Sequence, residues 1–148
     1  SARKLFAGYK PKLCFIEMKY GDSALSGKSG MLDHVEQWSN YLSIEKNKEE
    51  IRGEMLNLFQ QKRDLCLIAG LEGNPNKVKS FSDEIDCIFL LANHDPDKSG
   101  LAGIIRKLKQ IEEIPGVGIK FCVSNFMGYG LYKENVIDLA EFSERYVR

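Results

Sequence analysis

The segment from Leu13 to Tyr20 constrains the fold more than any other stretch of this 148-residue sequence. The apolar run Leu13–Ile16 leads directly into an acid and a base, Glu17 and Lys19. Such a run is typical of an interior strand of an α/β sheet, covered on both faces. Because side chains alternate across a strand, Glu17 and Lys19 project to the same side. An acid and a base at the end of a buried strand cost stability unless they pair or take part in chemistry.

Further strands and helices follow in alternating order. Residues 85–92 and 119–124 are apolar runs of strand length. Apolar residues recur at helical spacing in three segments, 31–42, 46–63 and 101–112. The second of these helices is expected to continue through 65–69 into the core. Asp138 and Glu141 form the capping-box pattern that begins a last helix. Strands that alternate with helices predict a single α/β domain over residues 1–148.

Charge and cysteine content limit what the protein binds and where it works. The 21 basic and 21 acidic residues cancel, so no global positive field predicts nucleic-acid binding. A local basic footprint remains at Arg3, Lys4, Lys10 and Lys12. The four cysteines are widely spaced and are expected to be buried thiols, which predicts a reducing, cytoplasmic location. We expect no signal peptide and no membrane-spanning segment.

A Glu-x-Lys pair at the end of a buried strand can support phosphodiester chemistry. Mg²⁺ favours one or two protein carboxylates together with waters and phosphate oxygens, so Glu17 is a candidate metal ligand. A lysine on the same side can orient or deprotonate an attacking water, or offset negative charge in the transition state. The simpler alternative is a structural ion pair between Glu17 and Lys19 in a plain α/β protein.

The residues around this pair resemble a known nuclease superfamily. Phe15-Ile16-Glu17-Met18-Lys19 resembles the (D/E)-x-K half-motif of the PD-(D/E)XK superfamily. The segment 37–41, Gln-Trp-Ser-Asn-Tyr, resembles the Q-x-x-x-Y helix motif of its RecB-like branch. The order and separation of the two motifs also suit that family. The resemblance implies a restriction-endonuclease-like α/β fold, with a mixed sheet flanked by helices, and Mg²⁺-dependent cleavage of DNA.

The same resemblance gives each matching residue a role. Glu17 would bind Mg²⁺, and Lys19 would be the catalytic lysine. Gln37 and Tyr41 would support the site or contact phosphate. Gln37 and Tyr41 equally fit the partly buried flank of an ordinary helix, since residues four apart share one face.

The sequence departs from the family pattern before the first strand. The pattern needs an Asp on the preceding strand, but residues 1–16 contain no acid. One carboxylate with water ligands holds Mg²⁺ poorly. Two hypotheses follow from the resemblance. The chain is either a Mg²⁺-dependent DNA nuclease whose N-terminal elements are missing from residues 1–148, or a catalytically incomplete domain of the same fold that binds nucleic acid or a protein partner.

Two other segments carry side chains that bind ligands in some proteins. His94 and Asp95 follow the 85–92 strand, at the position where open α/β sheets often bind ligands. A lone histidine there is more often a turn or capping residue. The segment 128–130, Gly-Tyr-Gly, has aromatic neighbours that could stack on bases, although a glycine-rich bend packed by its own rings is the simpler interpretation.

Overall fold

The computed structural model describes residues 10–68, 78–94, 100–124 and 131–147. Within these ranges the strands are β1 (Leu13–Tyr20), β2 (Ile85–Ala92), β3 (Val117–Ser124) and β4 (Ile137–Asp138). The α-helices are α1 (Met31–Leu42), α2 (Glu45–Asp64), α3 (Leu101–Leu108) and α4 (Leu139–Tyr146). Short 3₁₀ turns lie at Asp22–Leu25 and Lys133–Asn135.

The strands form one mixed sheet in the order β1-β2-β3-β4. The first three strands are parallel, and β4 pairs antiparallel with β3. Glu17 lies opposite Phe89 and Lys19 opposite Leu91 in the register of β1 and β2. Because parallel strands end at the same edge, the loops after β1 and β2 meet there, and the Gly21 N–H donates to the Ala92 carbonyl at 2.8 Å. The predicted α/β class, with a mixed sheet flanked by helices, is confirmed.

One face of the sheet carries the main hydrophobic core. Phe89, Leu91 and Phe121 are fully buried on this face. The helices that cover it contribute buried residues to the same cluster, among them Met31, Val35, Leu101, Ile105 and Phe142. Because Glu17 and Lys19 lie beside Phe89 and Leu91 in the register, they share this face. The acid and the base therefore sit at the margin of the core, on the side covered by helices.

In the part of the chain that the structure describes, strand β1 is not the doubly covered interior strand that its apolar run predicts. Among the described residues it lies at the end of the sheet, with β2 as its neighbour. Its other face presents Ile16, Met18 and Tyr20, each about half exposed. An apolar run shows that both faces of a strand favour burial, but it does not specify which elements cover them.

Helix α2 ends before the predicted continuation into the core. The Cys66 N–H donates to the Arg63 carbonyl and the Leu67 N–H to the Lys62 carbonyl, which is the pattern of a Schellman motif. Cys66 holds the left-handed position of that motif with a φ of 56°. Leu65 and Leu67 are consequently exposed, at 68% and 67%. The prediction failed because glycine normally signals this turn and here a cysteine adopts it.

The other helix bounds agree more closely with the sequence pattern. Helix α1 matches the predicted 31–42, whereas α3 ends at Leu108 and not at residue 112. The Asp138 side chain caps α4 by accepting the Glu141 N–H at 2.9 Å, as predicted. None of the helices in the described ranges is both long enough and apolar enough to cross a bilayer.

The cysteines divide into two pairs, and the expectation of buried thiols is correct for only one. Cys87 and Cys122 are buried in the sheet, whereas Cys14 and Cys66 are exposed. All four thiols are free. Burial raises the pKa of the Cys87 thiol to about 12. Cys14 is exposed because strand alternation turns it to the open face of β1.

Candidate functional site

The candidate site lies near the carboxyl end of β1, beside the N-terminal part of α1. Lys19 Nζ lies 2.9 Å from Glu17 Oε1 and also donates to the Ser29 carbonyl oxygen at 2.5 Å. The Lys19 side chain is 5% exposed, whereas that of Glu17 is 32% exposed. The ammonium is therefore held in place, while the carboxylate remains within reach of solvent.

The loop between β1 and α1 supplies the carbonyl that holds Lys19. Ser29 adopts a left-handed conformation with a φ of 65°, and its N–H donates to Asp33 Oδ2 at 3.0 Å. The next residue, Gly30, packs so closely that a Cβ there would lie 2.7 Å from the backbone carbon of Ser26. Only glycine permits this approach, so the loop shape that aims the Ser29 carbonyl at Lys19 depends on it.

Gln37 is connected to the same network through α1. Its Nε2 donates to Asp33 Oδ2 at 3.0 Å, from one helical turn further along. Since Asp33 also accepts from Ser29, hydrogen bonds join Gln37 to Lys19 through two intermediate residues. Gln37 therefore lies on the same side of the sheet as Lys19, and its link to the lysine is indirect.

Tyr41 lies one turn beyond Gln37 and is 44% exposed. Its backbone carbonyl accepts a hydrogen bond from the Asn47 side chain at 2.9 Å. Within the described residues, no hydrogen bond joins its hydroxyl to Glu17 or Lys19. The two motif residues on α1 thus differ, because the lysine network includes Gln37 and leaves Tyr41 on the surface.

His34 belongs to the cluster although neither sequence motif includes it. Its Nε2 lies 3.1 Å from Glu17 Oε1, the oxygen that Lys19 also contacts. The imidazole is 18% exposed, and its ring centroid is 6.3 Å from that of Trp38. In the sequence, one pattern could have pointed to His34: it lies one helical turn before Trp38, on the side of α1 that faces the core. Only the packing of α1 on the sheet brings it to Glu17.

A second histidine–carboxylate pair lies at the same edge of the sheet. His94 Nδ1 is 2.6 Å from Asp22 Oδ1, and the His94 side chain is 1% exposed. The pair joins the loops that follow β1 and β2, which agrees with a structural role for this histidine. Asp95 and the 128–130 segment lie outside the described residues.

A charged cluster at the opposite end of the sheet lines a cleft of about 450 Å³. Lys120 Nζ lies 2.9 Å from Asp86 Oδ2, and Lys12 Nζ lies 2.5 Å from Glu84 Oε2. The hydrogen bond that Lys12 donates to the Glu84 carboxylate raises the pKa of Lys12. Because both lysines face carboxylates, the cluster is a balanced ion network, and Lys12 adds little to a basic footprint.

The described residues provide few ligands for a metal ion at the candidate site. Within the described ranges, no group of three or more His, Cys, Asp or Glu side chains could hold a metal. Glu17 and His34 are two possible donors, and the Lys19 ammonium shares the same carboxylate. Mg²⁺ usually keeps several waters and takes phosphate oxygens as further ligands. These residues therefore fit a metal ion only as part of a site that water and phosphate complete.

Comparisons of the chain with family models, curated proteins and solved structures found no match. The resemblance to the nuclease superfamily consequently depends on two short motifs. The geometry around Glu17, Lys19 and His34 is therefore the main evidence for a function.

Proposed function

We propose that the chain carries the Glu-x-Lys half of a metal-dependent DNA nuclease site of the PD-(D/E)XK type, on a restriction-endonuclease-like fold. One observation carries the proposal: the buried Lys19 ammonium is fixed between the Ser29 carbonyl and the carboxylate of Glu17, whose side chain is 32% exposed. Moving an ammonium from water into the protein costs on the order of several kcal/mol, and ion pairing and hydrogen bonds must offset this cost. A cation fixed in this way suits the stabilisation of negative charge on a phosphodiester.

In this proposal the residues of the chain divide the work. Glu17 holds a divalent ion, with Mg²⁺ as the expected ion and water and phosphate oxygens as its other ligands. The bound ion supplies Lewis-acid stabilisation and an activated water. Lys19 offsets the charge that develops on the phosphate. Gln37 and Tyr41 lie along the adjoining flank of α1, where they would contact the DNA backbone.

A second candidate is a domain of the same fold that binds nucleic acid or a protein partner without cleaving it. Residues 1–16 contain no acid, and Glu17 is the cluster's one carboxylate within hydrogen-bonding distance of Lys19 among the described residues. In this candidate, the pair of Glu17 and Lys19 stabilises the end of β1. For either candidate, the free thiols favour a reducing, cytoplasmic location.

Cleavage assays with variants of the full-length protein distinguish these functions. Lys19→Met keeps the length of the side chain and removes its charge, so we expect Mg²⁺-dependent DNA cleavage to fall by about a hundredfold or more. Glu17→Gln should lose cleavage and Mg²⁺ dependence together. The matched control is Lys46→Met, at an 80% exposed lysine on α2, which should cleave like the wild type.

Two results would count against the nuclease assignment. Cleavage unchanged by Lys19→Met would remove Lys19 from the chemistry. Binding of DNA without cleavage by the full-length wild-type protein would instead support the non-catalytic domain.

A further inference from the structure

His34 and Glu17 are spaced as two ligands of one metal ion would be. Ligands at about 2.0–2.2 Å from an ion lie roughly 3 Å apart when they subtend a right angle at it. The observed separation of His34 Nε2 from Glu17 Oε1 is 3.1 Å. The separation thus suits two ligands of one shared ion.

We infer that Glu17 and His34 form a divalent-metal site that binds late first-row transition-metal ions, such as Co²⁺ or Zn²⁺, more tightly than Mg²⁺. Mg²⁺ favours oxygen ligands, whereas an imidazole nitrogen suits the later first-row ions. The inference depends on the proposed function only in placing a metal ion at Glu17. It extends that function by naming the class of ion that the site selects.

The surroundings of His34 hold its imidazole ready for a ligand role. The centroid of the Trp38 ring lies 6.3 Å from that of the imidazole. The Trp38 ring also packs against the buried Phe89 ring, with 4.8 Å between their centroids. Helix α1 thus anchors the histidine through the core of the protein. The Lys19 ammonium on the same carboxylate oxygen opposes a second cation. We therefore expect modest affinity for the ion, with selectivity set by the nitrogen donor.

The pair of His94 and Asp22 provides an internal comparison. Its 2.6 Å separation is that of a short hydrogen bond and is smaller than the spacing expected for two neighbouring ligands. Both histidines of the chain thus face a carboxylate, and only His34 has the wider spacing. A metal ion that bound to every histidine–carboxylate pair would bind equally at His34 and at His94.

Calorimetric titration of the full-length protein with Co²⁺ and with Mg²⁺ tests the site directly. The titration is done at pH 8, because a histidine binds a metal ion only when its imidazole is neutral. Under these conditions the wild type should bind Co²⁺ more tightly than Mg²⁺. His34→Gln should weaken Co²⁺ binding by at least about tenfold and change Mg²⁺ binding little. His94→Gln is the matched control and should bind both ions like the wild type. Equal affinity of the wild type for the two ions, or unchanged Co²⁺ binding by His34→Gln, would overturn the inference.

A second measurement avoids variants altogether. Paramagnetic Co²⁺ added to wild-type protein labelled with ¹⁵N-histidine should shift and broaden the imidazole signals of His34 before those of His94. Equal effects on the two histidines would contradict the site. Neither measurement depends on DNA cleavage. Selective Co²⁺ binding by a protein that does not cut DNA would support the metal site and refute the nuclease function. Cleavage without selective Co²⁺ binding would support the nuclease function and refute the metal site.

Discussion

A buried ammonium such as that of Lys19 persists only if its partners stay in place. Lys19→Ala removes the ammonium that donates to the Ser29 carbonyl. It also leaves a space where the Lys19 side chain, which is only 5% exposed, had packed. We expect the free energy of unfolding to fall by about 1–3 kcal/mol, because a polar group loses its partner and packing is lost. Urea unfolding measures the loss. Lys46→Ala, on the surface of α2, should change stability by less than about 0.5 kcal/mol, and equal losses in the two variants would contradict the burial of Lys19.

The buried thiol of Cys87 makes stability depend on pH in the alkaline range. Its pKa rises from 9.0 to about 12 because burial disfavours the thiolate. Above pH 9 the unfolded chain loses this proton while the folded protein keeps it, so stability falls as pH rises from 9 towards 12. One such proton limits the slope to about 1.4 kcal/mol per pH unit.

Cys87→Ala should therefore flatten the loss of stability between pH 9 and pH 11, measured by urea unfolding at each pH. The control is Cys66→Ser, at an exposed cysteine, which should keep the wild-type slope. The slope, and not the absolute stability, carries the test, because the smaller side chain also leaves a cavity. An unchanged slope in Cys87→Ala would show that other groups cause the alkaline loss.

The connection from β1 to α1 is the element on which the candidate site depends. Gly30→Ala would press a methyl group against the backbone of Ser26 and displace the loop that holds Lys19. We expect a loss of roughly 1–3 kcal/mol in the free energy of unfolding, since backbone atoms cannot yield as a flexible side chain does. Any cleavage activity should fall as well.

Gly53→Ala is the matched control, because nothing lies within 4 Å of a Cβ at that exposed position in α2. Alanine is a better helix former than glycine, so this variant should gain roughly 0.5–1 kcal/mol. Thermal unfolding of both variants measures the difference in sign. A Gly30→Ala protein as stable as Gly53→Ala would show that the loop is not tightly packed.

Elements with strong periodicity were predictable, and their ends were less so. Strand β1 and helix α1 match the predicted bounds because their apolar patterns and lengths are distinct. The end of α2 was missed because Cys66 takes a conformation that its residue type rarely adopts. The side-by-side placement of Glu17 and Lys19 followed from strand parity alone. His34 joins them through the packing of a helix on a strand, which local spacing does not encode.

At the scale of the whole molecule, strand order depends on pairing between distant segments. The alternation of strands and helices predicted an α/β fold, and the parallel pairing of β1, β2 and β3 in one sheet agrees with that class. The two-residue β4 carries too short a pattern to be recognised in sequence. The place of β1 at the end of the described sheet was likewise invisible, since apolarity does not name a neighbour.

Cleavage of DNA by residues 1–148 alone depends on how many carboxylates this chain can offer to Mg²⁺. Fixing Mg²⁺ in an all-protein site takes more than one carboxylate, and Glu17 is the one within hydrogen-bonding distance of Lys19 among the described residues. We therefore expect little or no DNA cleavage by this chain, even at millimolar Mg²⁺. A supercoiled plasmid assay with Mg²⁺, and again with Mn²⁺, measures it, and a gel-shift assay on the same preparation reports whether DNA binds. Binding without cutting is the expected pattern if the domain recognises DNA and its second carboxylate is missing. Robust Mg²⁺-dependent cutting by residues 1–148 would show that the chain needs no second carboxylate to fix Mg²⁺. Loss of that cutting in Lys19→Met would then show that Glu17 and Lys19 suffice, with the other ligands of the ion taken from water and phosphate.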